Sequence, residues 1–183
     1  HCNVGGVRTI NIDKLDTINA YSNFMLRLND YINTDYVLIV QDDGFVTSPA
    51  NWNDEFLSYD YIGANWPAEQ SWTERQTASQ YMTGNWNRVG NGGFSLRSRK
   101  FLEMSSKFTS CEGYGEDNFL CLVEEPYMLS KGIRYAPVEL ANRFSAENNM
   151  DNWQQPKTHD VNSTFGFHGR NFTNAQELID LKN

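Results

Sequence analysis

The amino-acid sequence predicts an α/β domain in which helices flank a mostly parallel central sheet. Three observations indicate this class: an extended segment at 7–12 (VRTINI), an amphipathic helical segment after it, and an apolar segment at 36–40 (YVLIV). The segment 36–40 lacks polar alternation, which is typical of a central strand covered on both faces. Because strand, helix and strand follow one another, we expect a βαβ unit and therefore parallel strands.

The first helix is predicted from its apolar spacing. It should run from about Thr17 to Asn33, with Asp16 or Thr17 as the N-cap. Five apolar residues recur there at intervals of three and four: Ile18, Tyr21, Met25, Leu28 and Ile32. This stripe is expected to pack on the sheet.

The later elements are predicted from segments in which the spacing of apolar residues is less regular. A second, shorter strand candidate lies at 60–64 (DYIGA), and residues 65–91 show little periodicity. Such a long loop in a compact domain is usually functional, so it is a candidate substrate lid. Residues 94–107 should begin extended and become helical, 116–132 should form a helix, and 164–169 should be extended, followed by a terminal helix.

Length and composition point to a single domain over 1–183. The net charge of −8 and the pI near 4.8 argue against a nucleic-acid partner, which requires a concentrated basic surface. No window is long and apolar enough for a membrane span, and the three cysteines contain no C-x-x-C pair. Reduced thiols, and hence a cytoplasmic protein, are the expectation. The chain does not begin with Met, so we expect an N-terminal truncation.

Two adjacent carboxylates, Asp42 and Asp43, follow the strand at 36–40. Ligands bind at the carboxyl ends of strands in open parallel sheets. Hard cations such as Mg2+ and Mn2+ take carboxylate oxygens and share them with phosphates. The pair could therefore hold a metal ion, although Asp-Asp-Gly is also an ordinary turn sequence.

Three further motifs are candidates, each with a structural alternative. Glycines surround Asn91 in VGNGG, but their spacing matches neither the dinucleotide fingerprint nor the P-loop. The basic residues nearby, including Arg97, could bind an anion or could lie at the solvent-exposed start of a helix. Glu116 and Asp117 open a helix and could be a cap or a general base. His168 could be structural or a metal ligand.

Taken in order, VLIVQDDGF, YDYIGANWP, VGNGGFSLRS, GEDNF and FGFHG resemble the GT-A-fold glycosyltransferase-like domains of bacteria and large DNA viruses. The resemblance covers nearly the whole chain. It implies a GT-A-like single domain, with a mostly parallel sheet that lacks the usual first strand. It also implies a nucleotide-diphosphate sugar donor, a carbohydrate acceptor and a Mn2+ or Mg2+ cofactor.

The resemblance also implies roles for individual residues. Asp43 and His168 would bind the metal, with Asp42 in support at the nucleotide, and Gln41 stands where the family usually has an acid. Asn91, Gly92 and Gly93 would lie beside the donor sugar. Arg170 would meet the diphosphate, and Arg97 is a further candidate cofactor-binding residue. Asp117, with Glu116 beside it, would be the base of an inverting transfer.

Two other functions stay open from the sequence. One is a non-catalytic module of the same fold that binds nucleotide sugars or carbohydrate. The other is a metal-dependent phosphohydrolase that uses Asp42 and Asp43, against which the lack of further Asp/His clusters counts. Trp66, Trp72, Tyr81 and Trp86 could stack on a sugar ring or belong to the core.

Overall fold

The structure is a computed structural model that describes residues 9–66, 88–147 and 163–169. Its strands are β1 (Tyr36–Val40), β2 (Gly44–Val46), β3 (Tyr61–Gly63), β4 (Asn65–Trp66), β5 (Arg88–Val89), β6 (Phe94–Ser98), β7 (Ser145–Ala146) and β8 (Gly166–His168). Its α-helices are α1 (Ile18–Leu26), α2 (Arg99–Ser105), α3 (Glu116–Asn118), α4 (Glu125–Ser130) and α5 (Val138–Phe144).

The central sheet is antiparallel, so the prediction of a mostly parallel sheet is wrong. Its strand order is β1-β6-β3, and β6 pairs antiparallel with both neighbours. β1 and β3 therefore run in the same direction, but β6 separates them. An uninterrupted apolar run indicates burial and carries no information about strand direction, which is why the pattern misled. β1 is also only half-buried, and Val40 is 48% exposed.

A second, mixed sheet carries the residues that follow β1. Its order is β2-β8-β7; β2 pairs antiparallel with β8, and β7 pairs parallel with β8. In this register Gly44 lies opposite His168, and Ala146 lies opposite Phe167. Residues 43, 147 and 168 are far apart in sequence, but this register brings them together at one end of the second sheet.

Helix α1 is shorter than predicted, although its cap was correctly identified. The side chain of Thr17 accepts a hydrogen bond from the amide of Ala20. The helix ends at Leu26, and a single 3-10 turn (Leu28–Asp30) follows it. Residues 9–12, predicted to be part of a strand, have no regular structure. The apolar spacing in the sequence extends past Leu26 because the 3-10 turn also buries Leu28. The spacing therefore predicts a longer helix than the one that forms.

The predicted helix over 116–132 is divided into three parts. A π-helical turn (Phe119–Val123) separates α3 from α4, and Pro126 lies in the first turn of α4. Proline is favourable there because the first amides of a helix have no partner within it.

Aromatic side chains fill the space between the two sheets and α5. Phe94 of β6 and Phe144 of α5 are completely buried, with ring centroids 5.4 Å apart, and Phe165 packs against both. Gly166 allows this approach, since a Cβ there would lie 2.2 Å from the Phe94 ring. The segment before His168 is thereby fixed to the central sheet. In the described part of the chain, no helix has the length and apolar character to cross a membrane.

Candidate functional site

The second sheet brings Asp43 and His168 together. Asp43 lies directly before β2, and its carbonyl accepts a hydrogen bond from the amide of Gly169 at 3.0 Å. Across the β2–β8 pair, Nε2 of His168 lies 3.1 Å from Oδ1 of Asp43. Both side chains are partly accessible, with 23% exposure for Asp43 and 14% for His168. They form one small site at the surface.

Two more side chains contact the imidazole of His168. Oε1 of Gln41 lies 3.1 Å from Nε2, and Oε1 of Glu147 lies 3.1 Å from Nδ1. The amide nitrogen of Gln41 donates to the hydroxyl of Tyr21 on α1 at 2.8 Å. We call Gln41, Asp43, Glu147 and His168 the histidine cluster.

The charges of this cluster shift two pKa values. Burial by itself lowers the pKa of His168, but the hydrogen bond and charge of Glu147, with the charge of Asp43, raise it above its ordinary value. Burial raises the pKa of Glu147, and the contact with His168 opposes that shift. The carboxylates therefore favour a positive charge at the ring position.

A glycine lies directly against the ring. A Cβ on Gly93 would lie 2.0 Å from Nε2 of His168, so no larger residue fits without moving the imidazole. The carbonyl of Gly93 accepts a hydrogen bond from the amide of Gln41, and its amide donates to Oδ1 of Asn91. Asn91 is buried and also forms a hydrogen bond that lowers the pKa of Glu147. The VGNGG segment thus contacts the histidine cluster through Gly93 and Asn91.

A second group of charges lies on the other side of this segment. Arg97 of β6 is 1% exposed, and its Nη2 lies 2.6 Å from Oε1 of Glu116. The guanidinium also donates a hydrogen bond to Oγ of Ser95. It lies over the Tyr61 ring, with its Cζ atom 5.2 Å from the centroid of that ring. The attraction of Glu116 outweighs the cost of burial and raises the pKa of Arg97. The two side chains form a buried ion pair, with 1% exposure for Arg97 and 5% for Glu116.

Asp117 lies next to this pair and has an unusual pKa. Burial, followed by the charge of Glu116, raises its pKa from 3.8 to about 7. Its carboxylate accepts hydrogen bonds from the amides of Gly92 and Asn118, at 3.2 Å and 2.7 Å. We call Arg97, Glu116 and Asp117 the arginine cluster.

The two clusters belong to one site. Gly92 contacts the arginine cluster, since a Cβ there would lie 2.6 Å from Oε1 of Glu116 and 3.1 Å from Cβ of Asp117. Gly93, the next residue, contacts His168. The charge of Asp117 also contributes to the raised pKa of His168. One two-residue glycine segment therefore separates an acid that titrates near neutrality from the histidine cluster.

An open groove of about 600 Å³ adjoins the site between α1 and β1. Ile18, Tyr21 and Met25 line it from α1, and Ile39, Gln41 and Asp42 line it from β1 and the segment after it. Asp42 is exposed, unlike Asp43. The groove is mostly apolar and becomes polar where it meets the histidine cluster.

Three side-chain atoms of the histidine cluster have the spacing of neighbouring ligand atoms around a small divalent cation. Mg2+ binds octahedrally at about 2.0–2.1 Å, which puts neighbouring ligand atoms about 3 Å apart. Oδ1 of Asp43 and Oε1 of Gln41 each lie 3.1 Å from Nε2 of His168. Among the described residues, no group of three or more His, Cys, Asp and Glu side chains is arranged to hold a metal ion. A cation here would therefore use two such side chains and one amide oxygen.

The structure places most of the predicted site residues in or beside the two clusters. Asp43, Asn91, Gly92, Gly93, Glu116, Asp117 and His168 lie there, and Asp42 lines the groove. Arg97, a candidate cofactor-binding residue, is buried against Glu116. Arg170 and the aromatic residues Trp72, Tyr81 and Trp86 lie outside the described residues.

Sequence reasoning missed Glu147 and Tyr21 and treated Gln41 only as a departure from an acidic motif. Nothing within the sequence near Glu147 links it to His168, 21 residues later; the parallel pairing of β7 with β8 does so. Tyr21 was assigned to the packing stripe of α1. Its spacing is correct for that stripe, and only its hydroxyl reveals the second contact.

A family model described as "Protein of unknown function (DUF5672)" matches residues 6–168. No curated protein and no solved structure matches the chain.

Proposed function

The chain belongs to the DUF5672 family, and we propose that it is a metal-dependent glycosyltransferase. In this proposal it moves a sugar from a nucleotide-diphosphate sugar to an acceptor hydroxyl, with inversion at the anomeric carbon. The observation that supports it best is the meeting of Asp43 and His168, 3.1 Å apart, beside an acid whose pKa is near neutrality.

Asp43, His168 and Gln41 would hold Mn2+ or Mg2+ through two or three of their O and N atoms. When bound, a divalent ion supplies positive charge where the departing diphosphate becomes more negative. Such a charge is needed in a chain with a net charge of −8. The exposed Asp42, at the end of the groove, is positioned to meet the nucleotide part of the donor.

Asp117 is the proposed general base. A base works best when its pKa lies near the working pH, and the pKa of Asp117 is raised to about 7. The amides of Gly92 and Asn118 hold its carboxylate in one orientation. Burial is the largest cause of this raised pKa, the charge of Glu116 adds to it, and the charge of Arg97 opposes it.

The arrangement also supports inversion. A carboxylate that removes the acceptor proton from the face opposite the leaving group gives inversion, as in inverting glycosidases. Asp117 and the histidine cluster lie on different sides of the Gly92–Gly93 segment. The donor sugar would lie over this segment, between the metal ligands and the base.

The proposal is tested with a panel of nucleotide-diphosphate sugars. Thermal unfolding is measured with each donor, with and without Mn2+, because a ligand that binds only the folded state raises the melting temperature. We expect one donor to raise it only when Mn2+ is present, and Asp43→Asn to abolish that rise. Asp35→Asn, a change at an exposed aspartate before β1, should preserve it.

Product analysis then separates the competing functions. Sugar transfer to an added carbohydrate acceptor, seen by mass spectrometry, supports the transferase. Metal-dependent donor binding without any turnover would instead assign a non-catalytic binding module. Cleavage of phosphate esters without sugar transfer would assign a phosphohydrolase. The absence of any Mn2+-dependent shift across the panel would contradict the proposed donor class.

A further inference from the structure

We propose that the outer edge of β1, which is the edge turned away from β6, is a docking site for an extended segment of a partner polypeptide. The segment adds to the three-stranded central sheet as a further strand. It has apolar residues at alternate positions and basic residues at its ends. This inference goes beyond the proposed function and does not depend on it.

Hydrogen bonds near both ends of β1 show which edge of the strand is already paired. The amide of Gln41 donates to the carbonyl of Gly93, just before β6, and the amide of Arg99, just after β6, donates to the carbonyl of Asp35. In an antiparallel pair, residues that bond the neighbouring strand alternate with residues whose N–H and C=O point away from it. The odd-numbered residues from 35 to 41 therefore face β6.

The even-numbered residues of β1 face outward. The carbonyl of Tyr36 accepts a hydrogen bond from the hydroxyl of Thr34. Leu38 and Val40 direct their N–H and C=O groups to an edge along which no strand of the described residues lies. An added strand offers donors and acceptors at the same two-residue spacing, so this edge has the backbone pattern that an extended polypeptide recognises.

The opposite edge of the central sheet is covered in this way. The carbonyl of Tyr61 in β3 accepts a hydrogen bond from the amide of Ala136, and the amide of Tyr61 donates to the carbonyl of Arg134. The chain around Tyr135 thus runs parallel to β3 and closes that edge. The outer edge of β1 has no such cover among the described residues, and its sequence, YVLIV, has none of the charges or prolines that protect exposed strand edges.

The groove between α1 and β1 runs along the outer edge of β1. Five consecutive residues, 38–42, line it. Successive residues of a strand point to opposite faces of its sheet, so a groove lined by all of them follows the edge. Ile18, Tyr21 and Met25 of α1 form the other wall, and the side chains of Ile18 and Val40 are 59% and 48% exposed. Apolar side chains of a docked strand would cover them.

The position of α1 favours a lone strand over a second copy of this chain. If β1 paired antiparallel with β1 of another copy, a twofold axis perpendicular to the sheet would place both α1 helices on one face. Neighbouring strands lie about 4.8 Å apart, whereas the axes of packed helices lie about 8–10 Å apart. Because α1 lines the edge of its own β1, the two helices would compete for the same space. A segment that carries no helix avoids this conflict.

Charges at the two ends of β1 select the chemistry of the docked segment. Asp35 precedes β1 and Asp42 follows it, and both are exposed in a chain with a net charge of −8. Lysine or arginine at the ends of a docked strand would lie near these carboxylates, whereas acidic residues there would be repelled.

The first measurement uses a synthetic heptapeptide in which valine alternates with threonine between two terminal lysines. Binding is measured by isothermal titration calorimetry, and amide hydrogen exchange of the protein is followed by NMR. We expect exchange at Leu38 and Val40 to slow about tenfold or more when the peptide is bound, because these amides gain partners. The amides of Val37 and Ile39 already bond β6 and should change little.

Two altered peptides separate backbone pairing from side-chain contacts. N-methyl groups on every valine and threonine remove the amide donors and leave the side chains and charges, so this peptide should not bind. A peptide with glutamates in place of the lysines should bind about fivefold more weakly. The affinity of the lysine peptide should fall as the salt concentration rises.

Variants of the protein test the same edge from the other side. Val40→Pro removes the outward N–H of Val40, and an edge strand accepts proline where its N–H faces away from the neighbouring strand. We expect peptide affinity to fall about 3- to 10-fold, which is the effect of one hydrogen bond. Ile18→Asn, on the α1 wall, should also weaken binding, whereas Leu129→Asn, at a 52% exposed leucine of α4, is the matched control. If Val40→Pro does not fold, Ile18→Asn and its control decide the outcome.

Three results would overturn the inference: no binding of the lysine peptide, equal binding of the N-methylated peptide, or protection from exchange that appears away from β1. A concentration-dependent dimer in sedimentation that Val40→Pro abolishes would assign the edge to a second copy and would also overturn it. None of these measurements includes a metal ion or a nucleotide sugar, so their outcome is separate from that of the transferase proposal.

Discussion

The histidine cluster and the arginine cluster combine similar groups in different environments. Each places acidic side chains against a nitrogen group, Asp43 and Glu147 around His168 in the first and Glu116 next to Arg97 in the second. The first is partly accessible, with 23% exposure for the Asp43 side chain, whereas the exposure of the Arg97 side chain is 1%.

This difference in burial and in the nature of the cation separates their roles. An imidazole can lose its proton and bind a metal ion, whereas a guanidinium stays charged under all ordinary conditions. The histidine cluster can therefore hold either a proton on the imidazole or, in its place, a metal ion. The arginine cluster cannot, because its cation keeps its proton. Burial and the charge of Glu116 raise the pKa of Asp117 there, and the charge of Arg97 opposes that shift.

The largest effect is expected from Asp117→Asn. An amide of the same shape cannot accept the acceptor proton, so transfer should fall about 10²- to 10⁴-fold. Donor binding should be retained, because it depends on the other cluster. Initial rates of transfer and donor affinity are measured on the same preparation, with Glu103→Gln, at an exposed position of α2, as the control. Normal turnover in Asp117→Asn would rule this residue out as the base.

The pH dependence adds a second readout for the same residue. Only the ionised carboxylate is a base, so transfer should rise about tenfold per pH unit and level off above the pKa of about 7. The folded pKa lies above the ordinary value of 3.8, so the folded state retains the proton that the unfolded chain loses. Stability should therefore fall as pH rises from about 4 to about 7. Asp117→Asn should remove the rise of transfer with pH and make the fall in stability smaller; the fall that remains comes from Glu147 and His168, whose pKa values are also raised.

The next largest effect is expected on stability, from Arg97→Met. The change leaves Glu116 buried without its counter-charge, and breaking a buried pair from one side costs about 3–5 kcal/mol. Urea unfolding measures this loss. Arg143→Met is the matched control, because its side chain is 57% exposed and its Nη2 lies 3.0 Å from Oε2 of Glu55, whose side chain is 51% exposed. An exposed pair of this kind is worth about 1 kcal/mol or less. Equal losses in both variants would contradict the contrast between the buried and the exposed pair.

The smallest effects are expected from the two adjacent glycines, which contact different clusters. Gly93→Ala forces a Cβ into the ring of His168, and Gly92→Ala forces one against Glu116. Each should cost about 1–3 kcal/mol, as overpacking typically does. Gly93→Ala should weaken the affinity for Mn2+, and Gly92→Ala should move the pH midpoint of transfer.

Each glycine variant is the control for the other. Both are compared by urea unfolding, by Mn2+ titration and by the pH profile of transfer. If both variants changed Mn2+ affinity to the same extent and left the pH profile alone, the two clusters would not be separable through this segment.

Part of the fold could be predicted from local sequence patterns. The strand at 36–40, the cap at Thr17 and the strand within 60–64 are all present. These features depend on neighbours a few residues apart, which the sequence displays directly. The parallel sheet was wrong because strand direction depends on β6, which enters between β1 and β3 from residues 94–98. No periodicity encodes that insertion.

The site shows the same division. Asp43, His168 and Asp117 could be named as candidates from residue type and position, and the resemblance to GT-A-fold domains favoured their functional roles over the structural alternatives. Glu147 could not, since it acquires its contact only through the pairing of β7 with β8. The sequence left Arg97 as a cation that could bind an anion or lie at a solvated helix start, whereas the structure buries it in a strand that has no exposed face.

The sequence by itself determined which residues carry unusual chemistry and where short helices and strands begin. Residue type and local spacing are properties of the chain alone. The tertiary structure decided which of those residues meet, which carboxylate has a pKa near 7, and which cation is buried. Those properties arise from desolvation and from charges within a few ångströms, and only the packed chain brings such groups together.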